Sequence, residues 1–439
     1  MTTLSTAKEL LKYAELLTLF FSAVCGVLGC SSKGKIIPPA VVDAPVHVSP
    51  AIPENVKGVW LTTLSGLDWP TPALSDEPSD EHRIALQKQA LIDKLDNLVS
   101  LGVNTVFFQV KPDGTALYRS ALLPWSDVLT GVVGKDPGYD PLAFMLAEGH
   151  KRGLRIHAWL NPYRVTSNTQ PKTVDALRRT LSVSPSSVYA LHPEWIRTAS
   201  DRFVLDPGIS EVRQWITNVV VELINNYAVD GIHFDDYFYY ETPASRLQDD
   251  AIYRQYGQGF VVKGDWRRNN TLLLIEQVSM AIKAVKSQVE FGVSPSGVWR
   301  NAENDARGSD TRGGAAYDIS YADTRLWVER GLIDYIIPQI YWPFSREIVR
   351  YDTLVKWWAD VVRPTKTRLY IGIALYKVGV PSQKEPDWAR DGGVPELRRQ
   401  LTLNEALPEV KGSVLFREGF IHQPQTVPAV DYLRKHWGK

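Results

Sequence analysis

Asp235 and Asp236 stand side by side at the end of a short apolar run, in the stretch Asp230-Gly231-Ile232-His233-Phe234-Asp235-Asp236-Tyr237-Phe238-Tyr239-Tyr240. Two neighbouring carboxylates after such a run suit general acid, base or nucleophilic work at a glycosidic bond, and the tyrosines offer flat faces to a sugar ring. The bland alternative is a strand end with two solvated acids. Strand alternation turns Ile232 and Phe234 towards an outer packing layer and His233 and Asp235 inward. Asp235 is therefore the first candidate nucleophile or base, and Asp236 either shares the chemistry or orients a loop and binds substrate hydroxyls.

A conventional pair of acids requires a partner for Asp235. Glu418, after the last apolar run, is taken as that partner, with Asp323 and Asp113 as the other candidates; Asp323 also suits a helix cap. The stretch His157-Ala158-Trp159-Leu160-Asn161-Pro162-Tyr163-Arg164 puts His157, Trp159 and Asn161 on one face, with Tyr163 and Arg164 on the loop beyond. It reads as one wall of a sugar site. Trp60, Lys111, Tyr237, Trp299, Gln339, Tyr341 and Trp342 sit at or near the ends of other runs and complete the expected substrate-binding set, together with His233. Several have ordinary alternatives: Trp299 and Trp342 as loop packing, Lys111 as the counter-charge of a buried acid, His157 and His233 as partners of each other. No close ligand repeat supports a metal, so neither metal nor cofactor is expected.

These residues need a scaffold that gathers strand ends at one rim. Short apolar runs at residues 56–62, 103–110, 154–160, 231–235, 290–294, 335–341, 369–374 and 412–417 alternate with amphipathic stretches, the pattern of repeated strand-helix units. Eight units predict an α/β fold, a (β/α)8 TIM barrel. The spacing between runs is widest after the third and fourth, so long loop insertions are expected there, at the rim where such barrels carry their sites. An open doubly wound sheet is the competing topology, but no glycine-rich phosphate turn follows the first run. No second domain is apparent.

The formal net charge is zero, from 49 basic and 49 acidic residues, which removes the electrostatic basis for broad nucleic-acid binding. The 14 tryptophans and 19 tyrosines fit carbohydrate stacking, with core packing as the ordinary alternative. Near the N-terminus, Lys8 and Lys12 precede an apolar run over residues 16–28, too short for the ~20 residues of a membrane-spanning helix and suited to a signal peptide. Val27-Leu28-Gly29-Cys30 resembles the bacterial lipobox, which implies lipidation at Cys30. Ser31 then takes the place where an aspartate would retain a lipoprotein at the inner membrane. The only other cysteine, Cys25, lies inside the signal, so a cysteine nucleophile or disulfide is excluded from the mature domain. The expected organisation is a lipoprotein signal peptide at 1–29, an acylated N-terminus and flexible tether at 30–53, and a glycosidase-like barrel at 54–439.

The stretches Gly58-Val59-Trp60-Leu61-Thr62, Asn104-Thr105-Val106-Phe107-Phe108-Gln109-Val110, His157 to Arg164, Asp230 to Tyr239, Ser294-Pro295-Ser296-Gly297-Val298-Trp299-Arg300 and Pro338-Gln339-Ile340-Tyr341-Trp342 resemble the bacterial glycosyl hydrolase-like ten family. They run in order through the whole domain. Thr115 departs from the pattern, standing where many members carry an aspartate, and Asp113 lies two residues earlier. The resemblance implies a barrel glycosidase acting on peptidoglycan glycan strands stripped of stem peptides, in cell division or daughter-cell separation. It also implies an outer-membrane lipoprotein facing the periplasm, with division-site proteins as partners. A metal-independent reaction of two carboxylates is the expected mechanism. Substrate assistance ranks below it, because the usual substrate-assisted chitinase strand has Asp and Glu where His233 and Tyr237 stand. The alternative is a glycan-binding division factor on a barrel without turnover; a metal-dependent deacetylase or hydrolase on the same barrel is a third possibility.

Overall fold

The computed structural model describes residues 49–239 and 247–438. The signal peptide, Cys30, most of the tether and Tyr240 lie outside the described residues. Among those described, no helix is long and apolar enough to cross a membrane.

Eight parallel strands close on themselves: β1 (Val56–Leu61), β2 (Thr105–Lys111), β3 (Arg155–Leu160), β4 (Gly231–Phe234), β5 (Glu290–Val293), β6 (Tyr335–Ile336), β7 (Arg368–Ile373) and β8 (Val410–Leu415). Each pairs with its neighbours in chain order and β8 returns to β1, so the fold is the (β/α)8 barrel. The covering helices start and stop where local chemistry dictates. Asp80–Leu101 is capped by Ser79, whose hydroxyl accepts from His82 N, and ends at Gly102 in the left-handed region (φ 89°). Pro141–Lys151 opens on Asp140 and Pro141, a cap followed by a residue with no N–H to leave unpaired.

The inside of the barrel is packed. Trp60, Phe107, Trp159, Tyr335, Ile337, Tyr370 and Val414 form an inner cluster separate from the apolar layer between strands and helices. Within it the Tyr335 hydroxyl meets Nδ1 of His157 at 3.0 Å and Nδ1 of His233 at 3.2 Å. The two histidines therefore share a tyrosine instead of bonding each other. Gly231 makes room for this ring layer, since a Cβ there would run into the His157 imidazole.

Two departures from the sequence pattern bear on the site. The run expected to continue as a strand to Tyr341 stops at Ile336, because Pro338 has no N–H for the ladder; only Gln339 bridges onward, to Ser296 and Gly372. The insertion after β3 carries an antiparallel hairpin, Ile196–Ala199 with Arg202–Leu205, that the pattern does not announce. Its turn residues Ser200 and Asp201 both have positive φ (49° and 57°), without the Asn-Gly signal of such turns. The hairpin docks on the β3 loop through Val165 N to Phe203 O (2.9 Å) and a bridge from Arg164 to Val204, and so positions Arg164.

Candidate active site

β4 ends at Phe234, and the next two residues carry their carboxylates into a cavity of about 420 Å3 at the C-terminal rim of the barrel. Trp60, Trp159, Tyr237, Tyr341, Tyr376, Phe416 and Phe420 supply its aromatic walls. Arg164 and Arg417 add positive charge, and Thr62, Gln109, Ser294 and Gln339 add neutral polar groups. Such a mixture of flat apolar faces and convergent polar groups is what a pyranose ring presents in complement.

Asp235 is 6% exposed and held by a chain of amides. The Asn161 Nδ2 donates to its Oδ2, and the Tyr237 backbone N–H lies 3.4 Å from its Oδ1. Asn161 Oδ1 in turn accepts from Gln109 Nε2 at 2.7 Å. Gln109 Oε1 accepts from the Thr62 hydroxyl (2.6 Å) and from the backbone N–H groups of Thr63 and Leu64 (2.9 Å each). Because those backbone groups only donate, both amide orientations are determined, and a single hydrogen-bonded line runs from the loop after β1 through β2 and β3 to Asp235.

Burial pushes the Asp235 carboxyl upward, while Arg164, the Tyr237 N–H and the side chains of Asn161 and Trp159 oppose it. Asp236, half-buried, is raised to about 7, by burial first and then by the neighbouring Asp235 charge. Arg164 stacks over Tyr237, 5.0 Å from the ring centroid, and its charge acts on both acids. Near neutral pH the pair thus contains a carboxyl that can give a proton.

Of the expected binding residues, Trp60, Arg164, Tyr237, Gln339 and Tyr341 line this cavity with the two aspartates. Asn161 stands directly behind Asp235. His233 lies beneath: its Nε2 accepts from Trp60 Nε1 (3.1 Å), with Ser294 Oγ at 2.9 Å, and so sets the Trp60 indole. Burial drives His233 down to about 3, which keeps it a neutral acceptor. Trp342 lines a second cavity, about 540 Å3, which shares Asp236 and Tyr237 with the first and adds Arg202 and Ser296.

The remaining expectations need correction. Glu418 does not face the cavity; its side chain is fully buried and committed to Lys94 Nζ (2.6 Å) and His422 Nε2 (2.9 Å). Burial raises its carboxyl, but these partners outweigh burial and hold it below its ordinary range, an anion with no proton to give. Asp323 caps the helix Thr324–Glu329 and accepts from Trp299 Nε1 at 2.9 Å. That bond, and a stack on Trp357, make Trp299 loop packing. Asp113 is bound by Thr115 and lines a separate depression. Lys111, fully buried and driven down to about 7 by burial, donates to the carbonyls of Asn161 (2.9 Å) and Pro162 (3.3 Å), tying down the β3 loop. Tyr163 is buried under the hairpin, its carbonyl accepting from Leu205 N, and His157 is buried against Tyr335.

Gln109, Tyr376, Phe416 and Arg417 belong to the site without having been assigned to it from the sequence. Gln109 and the Phe416-Arg417 pair lie at or just past the ends of β2 and β8, so the strand-end rule that found Asp235 also points to them. Tyr376, three residues past the end of β7, stands in the same kind of position.

Known proteins resemble this chain at three levels. The family model described as Glycosyl hydrolase-like 10 matches residues 55–390. Glycosyl hydrolase DigH of Escherichia coli K12 is 59% identical over 415 residues, covering 94% of each chain. Glycosyl hydrolase YngK of Bacillus subtilis is 41% identical over 385 residues, covering 87% of this chain and 71% of that protein. Among solved structures, alpha-L-fucosidase isoenzyme 2 from Paenibacillus thiaminolyticus superposes with a TM-score of 0.51 at 13% identity, over 87% of this chain and 49% of that one, a likeness of fold alone.

Proposed function

The chain belongs to the glycosyl hydrolase-like 10 family, and within that glycosidase class we propose that it cuts peptidoglycan glycan strands that have lost their stem peptides. The observation that carries this reading is the adjacent pair Asp235 and Asp236 in an aromatic cavity at the end of β4, with Asp236 poised near 7. A carboxyl of that kind donates to a glycosidic oxygen at neutral pH, while a buried carboxylate beside it supports positive charge at the anomeric carbon.

Two features support the substrate class. The cavities on either side of Asp236 and Tyr237 offer room for sugars on both sides of a scissile bond, as an extended strand requires. Removing the stem peptide leaves a carboxylate on each lactyl group, and Arg164, Arg417 and Arg202 line these cavities. The lipobox-like Cys30 supports an outer-membrane lipoprotein facing the periplasm, where such strands arise during septum splitting, and division-site proteins are the partners this placement implies.

The test compares purified mature protein on peptide-free glycan strands and on intact sacculi, with products identified by mass spectrometry. Short glycan products from the peptide-free strands alone are expected, and Asp236→Asn should slow their release by about 10²–10⁴-fold. Strand binding without soluble products would replace the enzyme by a glycan-binding factor.

A further inference from the structure

Among the described residues, Asp235 and Asp236 are the only acids on the cavity. They are consecutive in the chain and leave the same strand end. The direct retaining and inverting reactions place two carboxyl groups across the sugar from each other, at about 5–5.5 Å or 6.5–9.5 Å. The three acids expected as partners of Asp235, Glu418, Asp323 and Asp113, are each engaged elsewhere. Among these described acids, one of the adjacent pair is placed to protonate the leaving oxygen, which leaves the attack on the anomeric carbon to another group.

Tyr341 offers the complementary clue. It lines the same cavity, yet its hydroxyl is buried without a hydrogen-bond partner among the described residues. A buried hydroxyl left unpaired is costly unless something else completes it. Burial first, then the charges of Asp236 and Asp235, hold its proton firmly, so it acts as a donor next to the two acids. Asp235, its charge held by Asn161, is an acceptor. A donor and an acceptor on residues that line one cavity match the C=O and N–H of a secondary amide. The Trp60–Phe416–Tyr341 rings, in contact at 5.9 and 5.8 Å between centroids, provide an apolar wall for its methyl group.

We propose that the nucleophile of this site is the 2-acetamido group of the substrate itself, with Tyr341 donating to its carbonyl oxygen and Asp235 accepting from its N–H. This rests on the glycosidase reading above and assigns its mechanism. The acetamide oxygen attacks C1 as the C1–O bond breaks; the bonding pair leaves on the glycosidic oxygen, which takes the proton of Asp236. The oxazolinium ion keeps its N–H on Asp235. Water then gives a proton to the Asp236 carboxylate and attacks C1, reopening the ring and restoring the acetamide with retained configuration.

The experiment uses the mature protein, peptide-free glycan strands and the fused thiazoline analogue of N-acetylglucosamine. Expected are products of retained configuration by NMR, competitive inhibition by the thiazoline, and its direct binding by calorimetry. Tyr341→Phe should lower kcat 10-fold or more with little change in KM, at an unchanged melting temperature, and weaken thiazoline binding about as much. Asp235→Asn, which keeps the side-chain shape, is the second arm should Tyr341→Phe fail to fold, and it should weaken the thiazoline likewise. Cleavage with inversion, cleavage through a glycosyl ester on Asp235, or thiazoline affinity indifferent to both variants would overturn the acetamide mechanism and leave the glycosidase standing. Absence of cleavage on any strand would overturn both.

Discussion

Asn161, just past the end of β3, donates its side-chain N–H to Asp235, just past the end of β4, while its own carbonyl accepts from Gln109 at 2.7 Å. The carboxylate is therefore aimed by residues of two other strands. Asn161→Ala removes the donor and leaves Gln109 Nε2 unpaired. Losing one hydrogen bond to a charged group costs about 1.5–3 kcal/mol, so kcat/KM on peptide-free strands should fall roughly 10–100-fold. Steady-state kinetics with a parallel melting curve checks it; an unaltered kcat/KM would remove Asn161 from any positioning role.

Asp236 must carry its proton to serve as the acid. Its carboxyl is raised to about 7, so kcat/KM should fall as pH rises through about 7 in the wild type. Asp236→Asn should lose about 10²–10⁴ in kcat and the alkaline limb with it. A pH–rate profile decides this, and a variant retaining the same limb would show that another group titrates.

Arg164 favours the ionised form of both aspartates. Arg164→Gln removes that charge, the Asp236 carboxyl then holds its proton to higher pH, and the alkaline limb should move upward. A limb that stays in place or moves downward would contradict this. The stack on Tyr237 is lost too, so KM is expected to rise.

Glu418 tests the corrected assignment. Glu418→Gln should leave kcat within about twofold of wild type while lowering stability by about 1–3 kcal/mol, since Lys94 and His422 lose a charged acceptor. The carboxyl is held below its ordinary value of 4.5, so its stabilisation is present above that pH and is lost as pH falls through the lower folded value. Denaturant titrations at several pH values should therefore show the gap between wild type and variant narrowing in acid. A collapse of kcat at unchanged stability would restore Glu418 as a reacting group.

Much of the scaffold was legible because its signals are local. Apolar runs at regular spacing identify eight strand-helix units, and the period of two turns Asp235 inward whatever lies opposite. The hairpin after β3 was hidden because Ser200 and Asp201 adopt a turn without its usual residues, and the early stop of β6 is a single proline overriding an apolar run.

By itself, then, the amino-acid order determined the barrel, the rim and the aspartate pair, since strand periodicity and turn spacing act over a few residues. Which other groups meet that pair was decided only in three dimensions. Glu418 finds Lys94 324 positions away, Asn161 finds Asp235 74 positions away, and Tyr341 comes to the cavity from beyond a strand that ends early. Beyond the first residue past a strand end the period of two no longer governs where a side chain points, and the polar partners it meets in three dimensions decide it.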